Sequence, residues 1–187
     1  MASTTQQPLV TIGLPCYNSE RYIAQAIESL LAQTFTDFKL IISDNASTDS
    51  TAAICQRYAA ADSRVEYTRN PTNIGLTRNF NRAFTLSSTK YFKWATADDF
   101  SGPEMLADAV AVLEADPSVA LCYPRTVLVD AEGNETSRYT DKLNLMQDSA
   151  VERFVTLVTE IALVNHHLGL LRSDAIRRTR LWAVRKA

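Results

Sequence analysis

A chain of 187 residues with 46% hydrophobic content is large enough to bury a real core and has the size of one ordinary globular domain. Its 19 basic and 21 acidic residues nearly cancel, which removes any bulk attraction to nucleic acid or anionic lipid, so partners must be read from local sites. The three cysteines, Cys16, Cys55 and Cys122, have no short spacing, which argues against a disulfide framework or a zinc knuckle and for a reducing, cytoplasmic compartment.

Residues 1–7 have neither the basic region nor the apolar core of a signal peptide and are expected to be a disordered tail. Leu9–Leu14 is a β-branched run closed by Pro15 and predicts the first strand. Asn18-Ser19 is expected to cap a helix whose Ile23, Ala26, Ile27, Leu30 and Leu31 share one face. Phe38–Ser43 predicts a second strand that runs into Asp44-Asn45-Ala46-Ser47-Thr48-Asp49, a cluster of turn and capping residues. A helix from about Ser50 to Ala60, a half-exposed strand Arg64–Arg69 and a loop Asn70–Gly75 follow, and Leu76, Phe80, Ala83 and Phe84 then mark another helical face.

Tyr91, Phe92, Trp94 and Ala95 suit a strand buried on both faces, and it feeds directly into Asp98-Asp99. Ser101 with Glu104 predicts a capping box, with Pro103 in the first turn of a helix Met105–Ala115 that Asp116-Pro117 stops. Beyond it Val119–Tyr123 and Thr126–Val129 are β-like, and Glu132-Gly133-Asn134 predicts a hairpin turn before a strand at Thr136–Tyr139. Ser149 with Glu152 is a second capping box, opening an amphipathic helix through Val151, Phe154, Val155, Val158 and Ala162. Asn165–Leu171 predicts a final strand, and Ser173-Asp174 starts a basic helix. The apolar stretch Val155–Leu171 is too interrupted by polar residues to span a membrane.

The order βαβαβαβ predicts a mostly parallel sheet with helices on both faces. In such a sheet the loops after the first strand, after Asp44 and at Asp98-Asp99 open on the same edge, where ligands bind. Adjacent carboxylates there repel unless a cation is supplied, and a divalent metal carrying a phosphate-containing substrate answers that need. Taken alone, the pair reads first as a solvated turn. No G-x-G-x-x-G or P-loop motif is present, which counts against dinucleotide and P-loop chemistry.

Four blocks in this order, Val10–Glu20 with Pro15, Tyr17 and Asn18, Ile41–Thr51 with Asp44, Asn73-Ile-Gly75-Leu-Thr-Arg78-Asn79, and Thr96-Ala-Asp98-Asp99, resemble the family 2 glycosyltransferases. The resemblance covers about residues 8 to 180. It implies an α/β, three-layer GT-A fold (Rossmann-like), with a small antiparallel C-terminal part and a single domain over 8–187. Within it, 8–117 would be the nucleotide-sugar-binding half and 118–187 a partial acceptor half. Pro15, Tyr17, Asn18, Asp44, Asn73, Gly75, Arg78 and Asp98 would bind the nucleotide. Asp99, with Asp98, would ligate Mg²⁺ or Mn²⁺, and His167 is a further candidate ligand.

The implied reaction is metal-dependent, inverting transfer from a nucleotide-diphosphate sugar, with UDP-sugars favoured, to a saccharide or lipid-linked acceptor. A homodimer is among the expected assemblies, and neither nucleic acid nor an integral span is expected. The basic cluster from Arg172 to Lys186 is a solvated helix face that could also approach the inner membrane face. The chain departs from the family pattern at Thr96, where many members carry a third acidic residue, and at its C-terminus, where it looks shortened. No base is therefore assigned among the late acidic residues Asp141, Asp148, Glu160 and Asp174. A non-catalytic sugar-nucleotide-binding module is the competing reading. A phosphoacceptor receiver domain is set aside, because Pro15-Cys16-Tyr17 lacks the acidic pair that such a domain needs after its first strand.

Overall fold

The computed structural model describes residues 7–139, 143, 145–161, 163 and 165–183. Residues 1–6 of the expected tail, Asp141, Ala162, Arg185 and Lys186 lie outside the described residues. The chain forms two compact units. One runs through Cys122 and resumes at Leu168, and the other is Tyr123–His167.

The first unit is built on a six-stranded sheet. Strands β1 (Val10–Cys16), β2 (Phe38–Asp44), β3 (Val65–Arg69) and β4 (Tyr91–Trp94) are joined through helices α1 (Ile23–Leu31), α2 (Thr51–Ala61) and α3 (Leu76–Thr85). All four strands run parallel in the order β3-β2-β1-β4. After α4 (Met105–Ala115) and β5 (Leu121–Cys122) the chain leaves for the second unit, then returns as β8 (Leu170–Arg172), which lies antiparallel between β4 and β5. A short α6 (Ser173–Arg177) follows.

Alternation along β4 shows why the sheet has two covered faces. Tyr91 packs with Ile12, Leu14 and Leu40 and with Ile27 and Leu106 of α1 and α4, whereas Phe92 and Trp94 pack with Phe80 and Phe84 of α3. The two faces also demand different shapes. Gly13 of β1 leaves room for the Phe92 ring, since a Cβ there would lie 2.6 Å from Phe92 Cζ. Phe92 in turn meets Phe84 and Trp94 edge-on at 5.0 and 4.8 Å between centroids.

Several local expectations are corrected. Pro15 does not close β1 but lies inside it, opposite Ser43 of β2. It is tolerated because the β1–β4 ladder has already ended at Gly13–Trp94, so its missing N–H breaks no ladder bond on that side. Asn18-Ser19 does not cap α1, which begins at Ile23 after Tyr22. Asn18 adopts φ 49° and accepts the Thr48 N–H instead. The Ser101–Glu104 box does not form either, because the Ser101 N–H is taken by the Ser29 hydroxyl and Gln33 receives Leu106 N–H. Val119–Tyr123 contributes only the two-residue β5, and Asn165–Leu171 divides into a 3₁₀ turn, His166–Leu168, and the start of β8.

In the second unit β6 (Thr126–Val129) and β7 (Glu135–Tyr139) form the expected hairpin, closed by Asp130 accepting the Glu132 and Asn134 N–H groups. Helix α5 (Ala150–Glu160) has its expected cap, Ser149 accepting from Glu152 N–H. Its apolar residues Val151, Phe154, Val155 and Val158 are exposed. No helix among the described residues is long and apolar enough to cross a membrane.

Gly13→Val should lower the unfolding free energy by roughly 1–3 kcal/mol, because a branched side chain forces Phe92 and Ala83 apart in a filled core. A fall in urea midpoint with unchanged denaturant slope is the expected reading.

Candidate functional site

The parallel register brings Cys16 of β1 opposite Asp44 of β2, with the turn after β4 on the other flank. A cleft of about 570 Å³ opens on this edge, and Pro15, Tyr17, Asn18, Asn73, Thr96 and Asp98 line it. Of the residues expected to meet a nucleotide, Pro15, Tyr17, Asn18, Asn73 and Asp98 are thus brought together, while Asp44, Gly75 and Arg78 are not on the wall. Tyr17 is 45% exposed and lines the cleft.

Asp44 is fully buried and has both oxygens occupied. Oδ1 accepts Ser47 N–H at 2.9 Å and Ser47 hydroxyl at 2.6 Å, and Oδ2 accepts Tyr67 hydroxyl at 2.7 Å with Arg69 at 3.3 Å. It therefore anchors the loop, and the neighbouring Asn45 reaches the wall. Burial, and then the bond to Asp44, push the Tyr67 hydroxyl up to about 12, so it stays a donor.

A chain of buried amides fixes the opposite wall. Asn79 Nδ2 donates to Ser43 C=O at 2.7 Å, and its Oδ1 accepts Ser43 hydroxyl and Asn70 Nδ2. Asn70 also donates to Asn45, whose Nδ2 donates to Asn73 Oδ1 at 2.8 Å. Asn45 accepts Ile74 N–H and Asn73 accepts Gly75 N–H, so the whole Asn73–Gly75 loop hangs on side-chain amides. Gly75 itself, at φ 86° and ψ 156°, makes the turn into α3, a backbone conformation that residues with a Cβ avoid. Arg78 is exposed on the following turn.

Asp98 and Asp99 are adjacent exposed carboxylates, and the Thr96 hydroxyl donates to Asp99 Oδ2. The hydroxyl thus orients Asp99 where an acid would add a third negative charge. No three His, Cys, Asp or Glu side chains among the described residues converge on a metal. This donor set fits a hard divalent ion that completes its shell with water and phosphate, and does not fit a closed, all-protein site. His166 and His167 belong to the 3₁₀ turn of the second unit. Cys16 lines the cleft, but its hydrogen bond with Cys55 and its burial raise the thiol far above the ordinary range, which leaves it a protonated, inert side chain.

Sequence reasoning missed Arg21 and Tyr22, which line the cleft with Arg21 over the Tyr22 ring at 4.8 Å, and the wall roles of Leu76 and Phe80. It also missed Lys93, the buried lysine of β4, whose Nζ donates to Leu168 C=O. The signal for Lys93 was available, as a charged residue within an otherwise apolar central strand.

A cleft at the carboxyl edge of a mostly parallel sheet, flanked by an ordered asparagine loop and a carboxylate pair, is the arrangement of a GT-A-type α/β fold. The chain belongs to Glycosyl transferase family 2, which matches residues 11–178. Chondroitin synthase of Escherichia coli is 35% identical over 133 residues, covering 71% of this chain and 19% of that protein. Among solved structures, S. aureus TarS 1-349 in complex with UDP-GlcNAc superposes with a TM-score of 0.67 at 21% identity, covering 90% of this chain and 46% of that one. The mannosyltransferase PcManGT from Pyrobaculum calidifontis, in complex with GDP-Man and Mn²⁺, gives 0.63 at 19% identity over 93% and 47%. The chain spans less than half the length of each of these relatives.

Asn79→Ala should cost about 2–3 kcal/mol of stability, since it leaves Ser43 C=O and the Asn70 amide without their buried partner; chemical denaturation measures it. Lys93 predicts a pH effect of defined sign. Burial lowers its ammonium from 10.5 to about 8, so between those values the folded chain has released a proton that the unfolded chain still holds. Stability therefore gains with rising pH across that window, and Lys93→Met should remove the gain when urea midpoints are compared at about pH 7.5 and about pH 10.

Proposed function

We propose that this chain is a glycosyltransferase that moves a sugar from a nucleotide diphosphate, UDP-sugars being favoured, to a hydroxyl of a saccharide or lipid-linked acceptor with inversion. The observation that carries the reading is the convergence of Tyr17, Asn73 and Asp98 on one cleft with Asp99 beside it, in a chain of this family. Tyr17 offers an apolar face to the base. Asn18 and Asn73 hold the shape of the nucleotide wall, and Asp44 fixes it from behind. Gly75 makes the turn into α3, and Arg78, exposed on the first turn of that helix and off the cleft wall, would supply positive charge near the diphosphate.

Asp98 would meet the ribose or the metal, and Asp99, steered by Thr96, would hold Mg²⁺ or Mn²⁺. The bound ion would neutralise charge developing on the leaving diphosphate. An acceptor hydroxyl needs a base on the opposite side of the sugar, and no described side chain is given that part. The Mn²⁺ and GDP-Man of the mannosyltransferase and the UDP-GlcNAc of TarS support donor class and metal. The three free thiols support a reducing, cytoplasmic setting.

A thermal-shift screen of nucleotide diphosphates with and without Mn²⁺ tests the reading. A ligand at a hundredfold excess over its Kd stabilises by about 2.7 kcal/mol, so UDP should raise the midpoint by several degrees only when metal is present. Asp99→Asn should abolish the shift while leaving the apo midpoint in place. A full metal-dependent shift in that variant, or none with any nucleotide diphosphate in the parent chain, would count against the assignment.

A further inference from the structure

Asp44 and Lys93 are the two buried charged side chains among the described residues, and they are treated in opposite ways. Asp44 has a partner for each oxygen. Lys93, 4% exposed, has three N–H donors and, among the described residues, a single acceptor, the carbonyl of Leu168, and no ion pair. Glu114, which meets the neighbouring strand residues, is engaged by Lys90 and the Tyr91 hydroxyl. An ammonium buried without a carboxylate is expensive, and an apolar residue of the same length would pack there at no such cost. Its place in the chain suggests what the charge is for. Lys93 lies on the strand that runs into the acidic pair, and the charge of Asp99 favours its ammonium against the larger cost of burial.

We propose that Lys93 is a fixed counter-cation beneath the acidic pair, which weakens the grip of Asp98 and Asp99 on a bare divalent ion and so makes the ion bind together with the nucleotide diphosphate. The inference rests on the reading that Asp99 meets the metal. A positive charge under the carboxylates cancels part of their field, so a free Mn²⁺ gains little from them. A metal–diphosphate complex carries net negative charge, and the same lysine attracts it. Metal and nucleotide thereby become coupled ligands, each raising the affinity of the other by the same factor. Lys93 acts through this field and through Asp99, and is a positioning residue that does not touch the reacting atoms.

The test is a titration of Mn²⁺, followed by calorimetry or by the electron-spin signal of free Mn²⁺, with and without UDP. The parent chain should bind Mn²⁺ weakly alone and on the order of tenfold more tightly with UDP. Lys93→Met should bind bare Mn²⁺ several-fold more tightly than the parent and lose most of the enhancement by UDP, and Lys93→Arg should restore the parent behaviour. A lysine needed only for architecture predicts the reverse, weaker metal binding in the Met variant. The proposal is overturned if a folded Lys93→Met, with parental circular dichroism, holds bare Mn²⁺ no more tightly. It is overturned without any variant if UDP leaves the parent's Mn²⁺ affinity unchanged. A parent chain that binds neither UDP nor Mn²⁺ removes the transferase reading as well, whereas normal coupling in the parent with no gain in Lys93→Met removes this inference alone.

Discussion

Parallel pairing of β1 with both β2 and β4 is the constraint on which the site depends. Once Cys16 is in register with Asp44 and Gly13 with Trp94, the loops that follow these strands must leave from one edge. Residues far apart in the chain, Tyr17, Asn73 and Asp98, then become neighbours with no direct bond between them. What holds the register is apolar: strand β1 is buried throughout, and helices load both faces of the sheet with unlike shapes.

On that frame the edge itself is polar and tightly specified. The amides of Asn45, Asn70, Asn73 and Asn79 each use an oxygen, a nitrogen or both, so the wall is set by directional bonds and not by packing. Asp44 belongs to this set, as a carboxylate whose work is done inside the protein. Asp98 and Asp99 remain exposed, and among the described residues only the Thr96 hydroxyl steers one of them. The contrast separates side chains consumed in building the cleft from side chains exposed at its rim.

Much of this was legible from the sequence, because its periods are clean. The alternating βα pattern, the buried strands and the acidic pair at the end of β4 all follow from side-chain spacing and flanking turn residues. The losses have identifiable causes. Asn18-Ser19 and Ser101–Glu104 look like caps, but their groups are claimed by partners about thirty and seventy residues away, Thr48 and Ser29, which local rules cannot see. Asp44, which the family resemblance assigns to the nucleotide, also has its second oxygen held by Tyr67 and Arg69 of the neighbouring strand, a pairing the spacing does not reveal. Thr96 looked like a defect in an acidic motif until its hydroxyl was seen on Asp99. Lys93 was overlooked because a charge in a strand is read as an exposed position, whereas β4 has no exposed face.

The route by which the chain leaves and re-enters the sheet has its own consequence. Cys122, the last residue before the second unit, is paired directly with Leu170, just after it, so both stalks of that excursion are clamped in one ladder. The sheet is thus closed off at a fixed doorway, whatever lies between. Exchanging Tyr123–His167 for a segment of different length or chemistry leaves every parallel pairing intact, which makes this doorway a natural graft point where recognition can diversify while the scaffold is inherited unchanged.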